Sequence, residues 1–153
     1  MPEGQHLRPS RRAGPAALDL LEQARYGLLE AAALSRATER YATAHLAALR
    51  TAAAVLAART HPEPARPPRR RSGPRNAWEL LAQVAPELGE WAAFFAAGAG
   101  KRAAAEAGAS SAVSDREADD LLRDVETFLA LAATTLGVPD QPLLPGALTR
   151  QAG

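Results

Sequence analysis

The chain has 153 residues, with 18 Lys and Arg against 17 Asp and Glu, and it contains no cysteine. This length predicts one domain, and the lack of cysteine excludes disulfides and thiolate metal sites. Alanine is the commonest residue, and because it favours helices and no alternating β-branched run occurs, we predict an all-α fold. No apolar run approaches the roughly 20 residues of a membrane span, and the first residues lack the apolar core of a secretory signal. We therefore expect a cytoplasmic protein with no membrane association.

Two long helices are predicted in the first part of the chain. Residues 1–14 combine Pro, Gly and charges without periodicity, which predicts a disordered N-terminal tail. Apolar residues then recur at helical spacing over 15–35 and again over 37–59. The connection is so short that we expect these helices to be antiparallel neighbours. The alanine-rich stripe of the second, which begins with Tyr41 and His45, predicts the central helix of a bundle.

A basic segment, THPEPARPPRRRSGPR at 60–75, interrupts the helical pattern. Its prolines forbid regular structure, so we predict a flexible loop inside a domain that spans 15–137. Arginine pairs bidentately with phosphate, so the loop is a candidate nucleic-acid-binding surface. No aromatic residue is interleaved for base stacking, and a solvated basic loop is the alternative interpretation. The candidate binding residues are Arg66, Arg69, Arg70, Arg71 and Arg75.

The third predicted helix begins near Asn76, where Glu79 completes the pattern of a capping box. Pro86 should divide this helix into 76–85 and 87–98. Residues 101–107 form at most a further turn or two, and 108–113 read as a linker.

The last predicted helix begins at Ser114, which has Glu117 three residues on, and ends at Gly137. Its acidic residues Glu117, Asp120 and Asp124 share one face. Paired carboxylates can serve acid–base chemistry, but a solvated face is the simpler interpretation. Residues 138–153 contain three prolines and should be loosely ordered. Together the segments predict an antiparallel bundle of four to five helices.

Three aromatic residues, Trp91, Phe94 and Phe95, concentrate much of the aromatic content in one helix. Neighbouring residues on a helix point about 100° apart, so Phe94 and Phe95 cannot both face the same stripe. One of them is therefore a candidate for a dimer interface, where aromatic residues are enriched, and the core is the alternative for both.

The segments LDLLEQARYGLLEAA and RYATAHLAALRTAAAVLAAR resemble the first two helices of HEPN domains. These are small all-helical domains of prokaryotic toxin–antitoxin and nucleotide-associated proteins. The later piece AWELLAQVAPELGEWAAFFAAGAGKRAAAEAG is similar to an actinobacterial branch of the group. The resemblance implies an all-α bundle that commonly forms homodimers.

Active HEPN ribonucleases carry an Arg, four to six further residues, and a His, and cleave RNA without a metal. Arg40 and His45 match that spacing. The family places the motif near its last helix, however, whereas residues 101–137 contain no histidine. On one helix the two side chains would also point in well-separated directions. The alternative is a half-buried histidine bonded to a neighbour.

Three functions follow as hypotheses. The first is a non-catalytic HEPN-like module, as a homodimer, that binds RNA, a nucleotide or a protein. The second is a metal-independent ribonuclease of toxin type that uses Arg40 and His45. The third is a purely structural protein-interaction domain. We expect no cofactor and no metal, because His6 and His61 have no ligand partner at helical spacing.

Charge is distributed unevenly along the chain. Residues 1–75 hold 13 Arg against 6 acidic residues, a net charge of +7, and residues 76–153 hold 5 Lys and Arg against 11, a net charge of −6. Such asymmetry indicates either a basic face for an anionic partner or two halves that attract each other, within a chain or across a dimer.

Overall fold

The computed structural model describes residues 13–60 and 74–138, which form six α-helices and one short 3₁₀ helix, with no strand in these two ranges. The predicted all-α bundle is confirmed. The helices are α1 (Pro15–Ala33), α2 (Ala37–Arg59), α3 (Pro74–Val84), the 3₁₀ helix (Pro86–Leu88), α4 (Gly89–Ala97), α5 (Ala99–Glu106) and α6 (Asp115–Thr135).

Helix α2 is the central element, as predicted, and it begins and ends at the predicted residues. It packs against α1, α3, α5 and α6, so its buried residues surround much of the helix instead of forming one stripe. Alanine makes this burial possible because its small side chain lets neighbouring backbones approach closely. One such close approach involves α1, where a Cβ added at Gly27 would lie 3.4 Å from the Cβ of Ala47.

The third predicted helix begins earlier than expected. Helix α3 starts at Pro74, so the prediction of Asn76 as its N-cap is wrong. Proline suits a first turn because its missing N–H would have no partner there. The predicted break at Pro86 is confirmed: α3 ends at Val84, and the 3₁₀ helix and α4 follow.

Residues 99–106 form a helix of about two turns, α5, which starts two residues before the turn or two expected at 101–107. The chain leaves this helix through Gly108, two residues beyond its end, whose φ of +85° is a conformation that glycine adopts without strain. The N–H of Gly108 bonds the carbonyl of Ala105, and the N–H of Ala109 bonds that of Ala104. This is a Schellman ending, which turns the chain towards α6.

Helix α6 has both of its predicted ends. The Ser114 hydroxyl accepts a bond from the Glu117 N–H at 3.0 Å, and the Glu117 carboxylate accepts one from the Ser114 N–H at 2.9 Å. Gly137 adopts a φ of +72° just beyond the other end. Its apolar stripe is buried along its whole length: Leu121, Leu122, Val125, Phe128, Leu129, Ala132 and Leu136.

The aromatic part of the core joins α3, α4 and α6. Trp78 and Phe95 stack with ring centroids 5.1 Å apart, and Phe128 lies 5.0 Å from Phe95. All three side chains are fully buried. Large rings therefore fill the space on the side of α2 where its own alanines contribute little volume.

The predicted tails at 1–14 and 138–153 and the basic loop at 60–75 fall almost wholly outside the described residues. At their edges, Ala13 and Val138 pack against the core. Within the described ranges, no helix combines the length and the apolar character needed to cross a membrane.

Candidate functional site: an acidic groove beside His45

Arg40 is buried near the start of α2, with a side chain that is 9% exposed. One guanidinium nitrogen donates to the carbonyl oxygens of Leu34 and Ser35, at 3.0 and 3.1 Å. The other nitrogens face two carboxylates of α6: Nη2 lies 3.2 Å from Asp115 Oδ1, and Nε lies 3.1 Å from Asp119 Oδ1. Arg40 thus ties the α1–α2 connection to the first turn of α6.

His45 lies one turn further along α2 and is 1% exposed, so it is buried and not half-buried as expected. Its Nε2 lies 3.4 Å from the carbonyl oxygen of Phe95. A carbonyl oxygen can only accept, so Nε2 carries the proton and Nδ1 is an acceptor. Nδ1 has no hydrogen-bond partner among residues 13–60 and 74–138.

The electrostatics around His45 disfavour its protonated form. Burial, helped by the nearby positive charge of Arg102, lowers the pKa of His45 to about 4. The imidazole is therefore neutral at neutral pH. The directions of the two side chains separate as predicted, because Arg40 bonds to α6 whereas His45 faces the carbonyl of Phe95 on α4.

Two adjoining cavities open beside His45. One, of about 240 Å³, is lined by His45, Phe95 and Gly98, and the other, of about 260 Å³, by Lys101 and three acidic residues of α6. Both cavities are also lined by Tyr41, Phe94 and Leu121, so they adjoin one another. We call the two cavities together the acidic groove; its residues are Tyr41, His45, Phe94, Phe95, Ala97, Gly98, Lys101, Glu117, Asp120, Leu121 and Asp124.

The three carboxylates of the groove differ in their partners. Glu117 pairs with Lys101 at 2.6 Å, and this bond lowers the pKa of Glu117. Asp120 pairs with Arg123. Asp124 has no ion pair among the described residues, and burial together with the neighbouring charge of Asp120 raises its pKa. Asp124 is therefore the carboxylate of the groove that lacks a cation.

The predicted aromatic trio divides between core and surface. Phe95 is buried, Trp91 is partly buried against the core, and Phe94 is 47% exposed beside the groove. Of the three, Phe94 is the most exposed side chain. The expectation that Phe94 and Phe95 point to different environments agrees with this arrangement.

The candidate nucleic-acid residues Arg66, Arg69, Arg70 and Arg71 lie outside the described residues. The backbone of Arg75 lies in the first turn of α3. In the described part of the chain, no group of three or more His, Cys, Asp or Glu residues is placed to hold a metal ion.

A larger cavity of about 510 Å³ lies against α3 and α4 and is walled mainly by alanine, including Ala82, Ala93 and Ala96. Glu79 is its one titratable lining residue. This cavity has volume but few polar groups that could bind a ligand or take part in a reaction, so the acidic groove is the better candidate for a functional site.

The sequence indicated the acidic wall of the groove but not the groove itself. The shared face of Glu117, Asp120 and Asp124 is visible in the spacing of α6. The aromatic wall comes from Tyr41 and Phe94, which lie far away in the sequence. The face read from the sequence as solvated therefore adjoins apolar side chains.

The fold and the site together define an all-α bundle built on one central helix, with a groove lined by residues of neighbouring helices. No candidate metal centre occurs among the residues that the structure describes. A family model described as HEPN_SAV_6107-like HEPN matches residues 31–133, which is more than half of the chain. The protein therefore belongs to this HEPN family. Neither the curated proteins nor the solved structures yield a significant match.

Proposed function

We propose that the protein is a non-catalytic HEPN module, acting as a homodimer, whose task is to bind a partner. The observation that carries the proposal is the state of the Arg40 and His45 pair. His45 is 1% exposed and neutral, and Arg40 is engaged by two backbone carbonyls and two carboxylates. Metal-independent RNA cleavage requires groups that reach the substrate, which these contacts oppose.

The acidic groove also argues against an RNA-cleaving site at this position. Glu117, Asp120 and Asp124 line it, and carboxylates repel the phosphates of a nucleic acid. Its exposed aromatic side chain and its depth instead suit a protein segment. A protein partner is therefore the candidate that the described residues support best.

An RNA-cleavage assay tests the proposal. Labelled total RNA is incubated in EDTA with the wild type and with His45→Gln, and an added ribonuclease serves as the positive control for the substrate. We expect the wild type to leave the RNA as intact as a protein-free sample does. Cleavage by the wild type that disappears in His45→Gln would establish the ribonuclease and refute the proposal.

RNA binding without cleavage is the second candidate, and the five arginines at 66–75 favour it. Phosphate contacts release counterions, so such binding weakens steeply with salt. A filter-binding series over salt compares the wild type with a variant in which Arg69, Arg70 and Arg71 are glutamine. Retention that falls with salt and is lost in the variant would support this candidate, and equal retention by both proteins would exclude it.

A further inference from the structure

The carboxylates that line the acidic groove accept hydrogen bonds, so a ligand must supply the donors. Nδ1 of His45 has no hydrogen-bond partner among the described residues, but it is shielded from solvent, so the accessible acceptors of the groove are its carboxylates. Asp124 is an acceptor without an ion-pair partner among the described residues, and Asp120 lies one turn away on the same wall. A ligand that satisfies these carboxylates must therefore carry N–H donors and positive charge.

The walls of the groove select among cations. Tyr41 and Phe94 place aromatic side chains beside the carboxylates, and Phe94 is 47% exposed. A guanidinium is planar, stacks on aromatic faces and pairs with carboxylates through two parallel bonds, whereas an ammonium is a compact and strongly hydrated charge. The combination of aromatic wall and carboxylates thus favours arginine over a simple cation.

The length of the groove favours a peptide over a single small molecule. Its acidic wall runs from Glu117 to Asp124, which spans about 10 Å along a helix. An extended peptide advances about 3.3 Å per residue, so three to four residues would lie along that wall. The adjoining cavity beside His45, Phe95 and Gly98 then accepts one side chain.

We propose that the acidic groove docks an arginine-bearing segment of a partner protein, with a guanidinium between the aromatic wall and Asp120 and Asp124. This inference rests on the proposed function as a partner-binding module and names the chemistry of the partner. Charge complementarity supports it, because three carboxylates line the groove and one of them, Asp124, has no ion pair among the described residues, whereas Glu117 pairs with Lys101 and Asp120 with Arg123.

Fluorescence anisotropy tests the proposal with a short labelled peptide in which arginines are separated by leucine and serine. A matched peptide carries citrulline, which has the shape of arginine but no charge. We expect saturable binding of the arginine peptide and at least about tenfold weaker binding of the citrulline peptide, as the loss of a charge-assisted bond predicts. Equal affinity for both peptides, or no binding of the arginine peptide at about 1 mM, would overturn the proposal.

Protein variants locate the site. Asp120→Asn combined with Asp124→Asn should weaken the arginine peptide about tenfold or more. The control combines Asp19→Asn with Glu22→Gln on the exposed face of α1, which removes the same charge without touching the groove. Circular dichroism verifies that both variants remain folded. If the control weakens binding as much as the groove variant, the attraction is general and the proposed site is wrong.

Phe94→Ala separates the proposed occupant from a second copy of the chain. We expect this variant to lose peptide affinity and to keep the mass of the wild type in light scattering. A variant that dissociates from dimer to monomer while peptide affinity stays unchanged would place a second copy on this surface and refute the proposal. The RNA-cleavage assay is independent of both results, so a non-catalytic module can stand even if the arginine segment is wrong.

Discussion

The side chains of Arg40 and His45 lie close in sequence and serve different parts of the structure. Arg40 fixes a helix connection to α6, whereas His45 joins the aromatic core through the Phe95 carbonyl. The spacing that matches a ribonuclease motif therefore coincides with two structural roles, and each role has a measurable consequence.

His45 should make the stability of the protein depend on pH. Its pKa is about 4 in the folded protein and near 6.5 when exposed, so the unfolded state binds more protons between these values. The contribution of neutral His45 is complete above pH 6.5 and is lost as the pH falls towards 4, about 2 kcal/mol of it between pH 7.5 and pH 5.

Urea unfolding at pH 7.5 and pH 5 measures this effect in the wild type and in His45→Gln, which keeps an N–H donor for the Phe95 carbonyl. Comparison with the variant cancels the contributions of all other groups to the pH dependence of stability, including those of Arg102 and Glu106, whose charges act on His45. We expect the wild type to lose about 2 kcal/mol more than the variant. The same pH dependence in both proteins would contradict a neutral, buried imidazole.

Arg40 should stabilise the fold through the hydrogen bonds and ion pairs of its guanidinium group. Replacing Arg40 with methionine leaves the carbonyls of Leu34 and Ser35 and two carboxylates without this donor. We expect the free energy of unfolding to fall by about 1–3 kcal/mol. The control is Arg36→Met, because Arg36 is 73% exposed and its ion pair is long, at 3.9 Å; it should change stability by less than about 0.5 kcal/mol. If denaturant titrations show that both variants lose the same free energy of unfolding, the contacts of Arg40 do not stabilise the fold as expected.

At the scale of elements, local signals in the sequence predicted most helix boundaries. The bounds of α2, the break at Pro86 and the capping box of Ser114 are all present. These features depend on short-range backbone chemistry, which a sequence displays directly. The start of α3 was predicted wrongly because Asn76 and Glu79 match a cap equally well by spacing, whereas the helix extends back to Pro74.

The contact between α1 and α2 should tolerate no added volume. A Cβ at Gly27 would already touch the Cβ of Ala47 at 3.4 Å, and Ala47 is fully buried. Ala47→Leu should therefore force the helices apart and lower the free energy of unfolding by about 1–3 kcal/mol. Ala57→Leu, on the exposed part of the same helix, is the matched control and should lie within about 0.5 kcal/mol of the wild type. Thermal or urea unfolding of the two variants distinguishes a tight interface from a merely alanine-rich one.

At the scale of the whole molecule, the proposed homodimer is open to direct measurement. HEPN relatives commonly dimerise, and this property of the family is the basis of the proposal. We expect light scattering to give a mass of about 32 kDa, twice the 16.0 kDa of one chain. A dilution series provides the control, since a specific dimer keeps this mass until the concentration falls below its dissociation constant. A mass of 16.0 kDa at every concentration would contradict the dimer.

The sequence by itself determined the all-α class, the central place of α2 and the ends of α6. Each depends on residues near one another in the chain: apolar spacing, alanine content, and capping groups three residues apart. Tertiary structure alone decided that His45 is wholly buried, that Arg40 forms ion pairs with Asp115 and Asp119, and that Phe94 stands beside Asp124. Each of these features depends on contacts between residues of different helices that are far apart in the sequence. Their positions depend on how the helices pack, which local pattern does not specify.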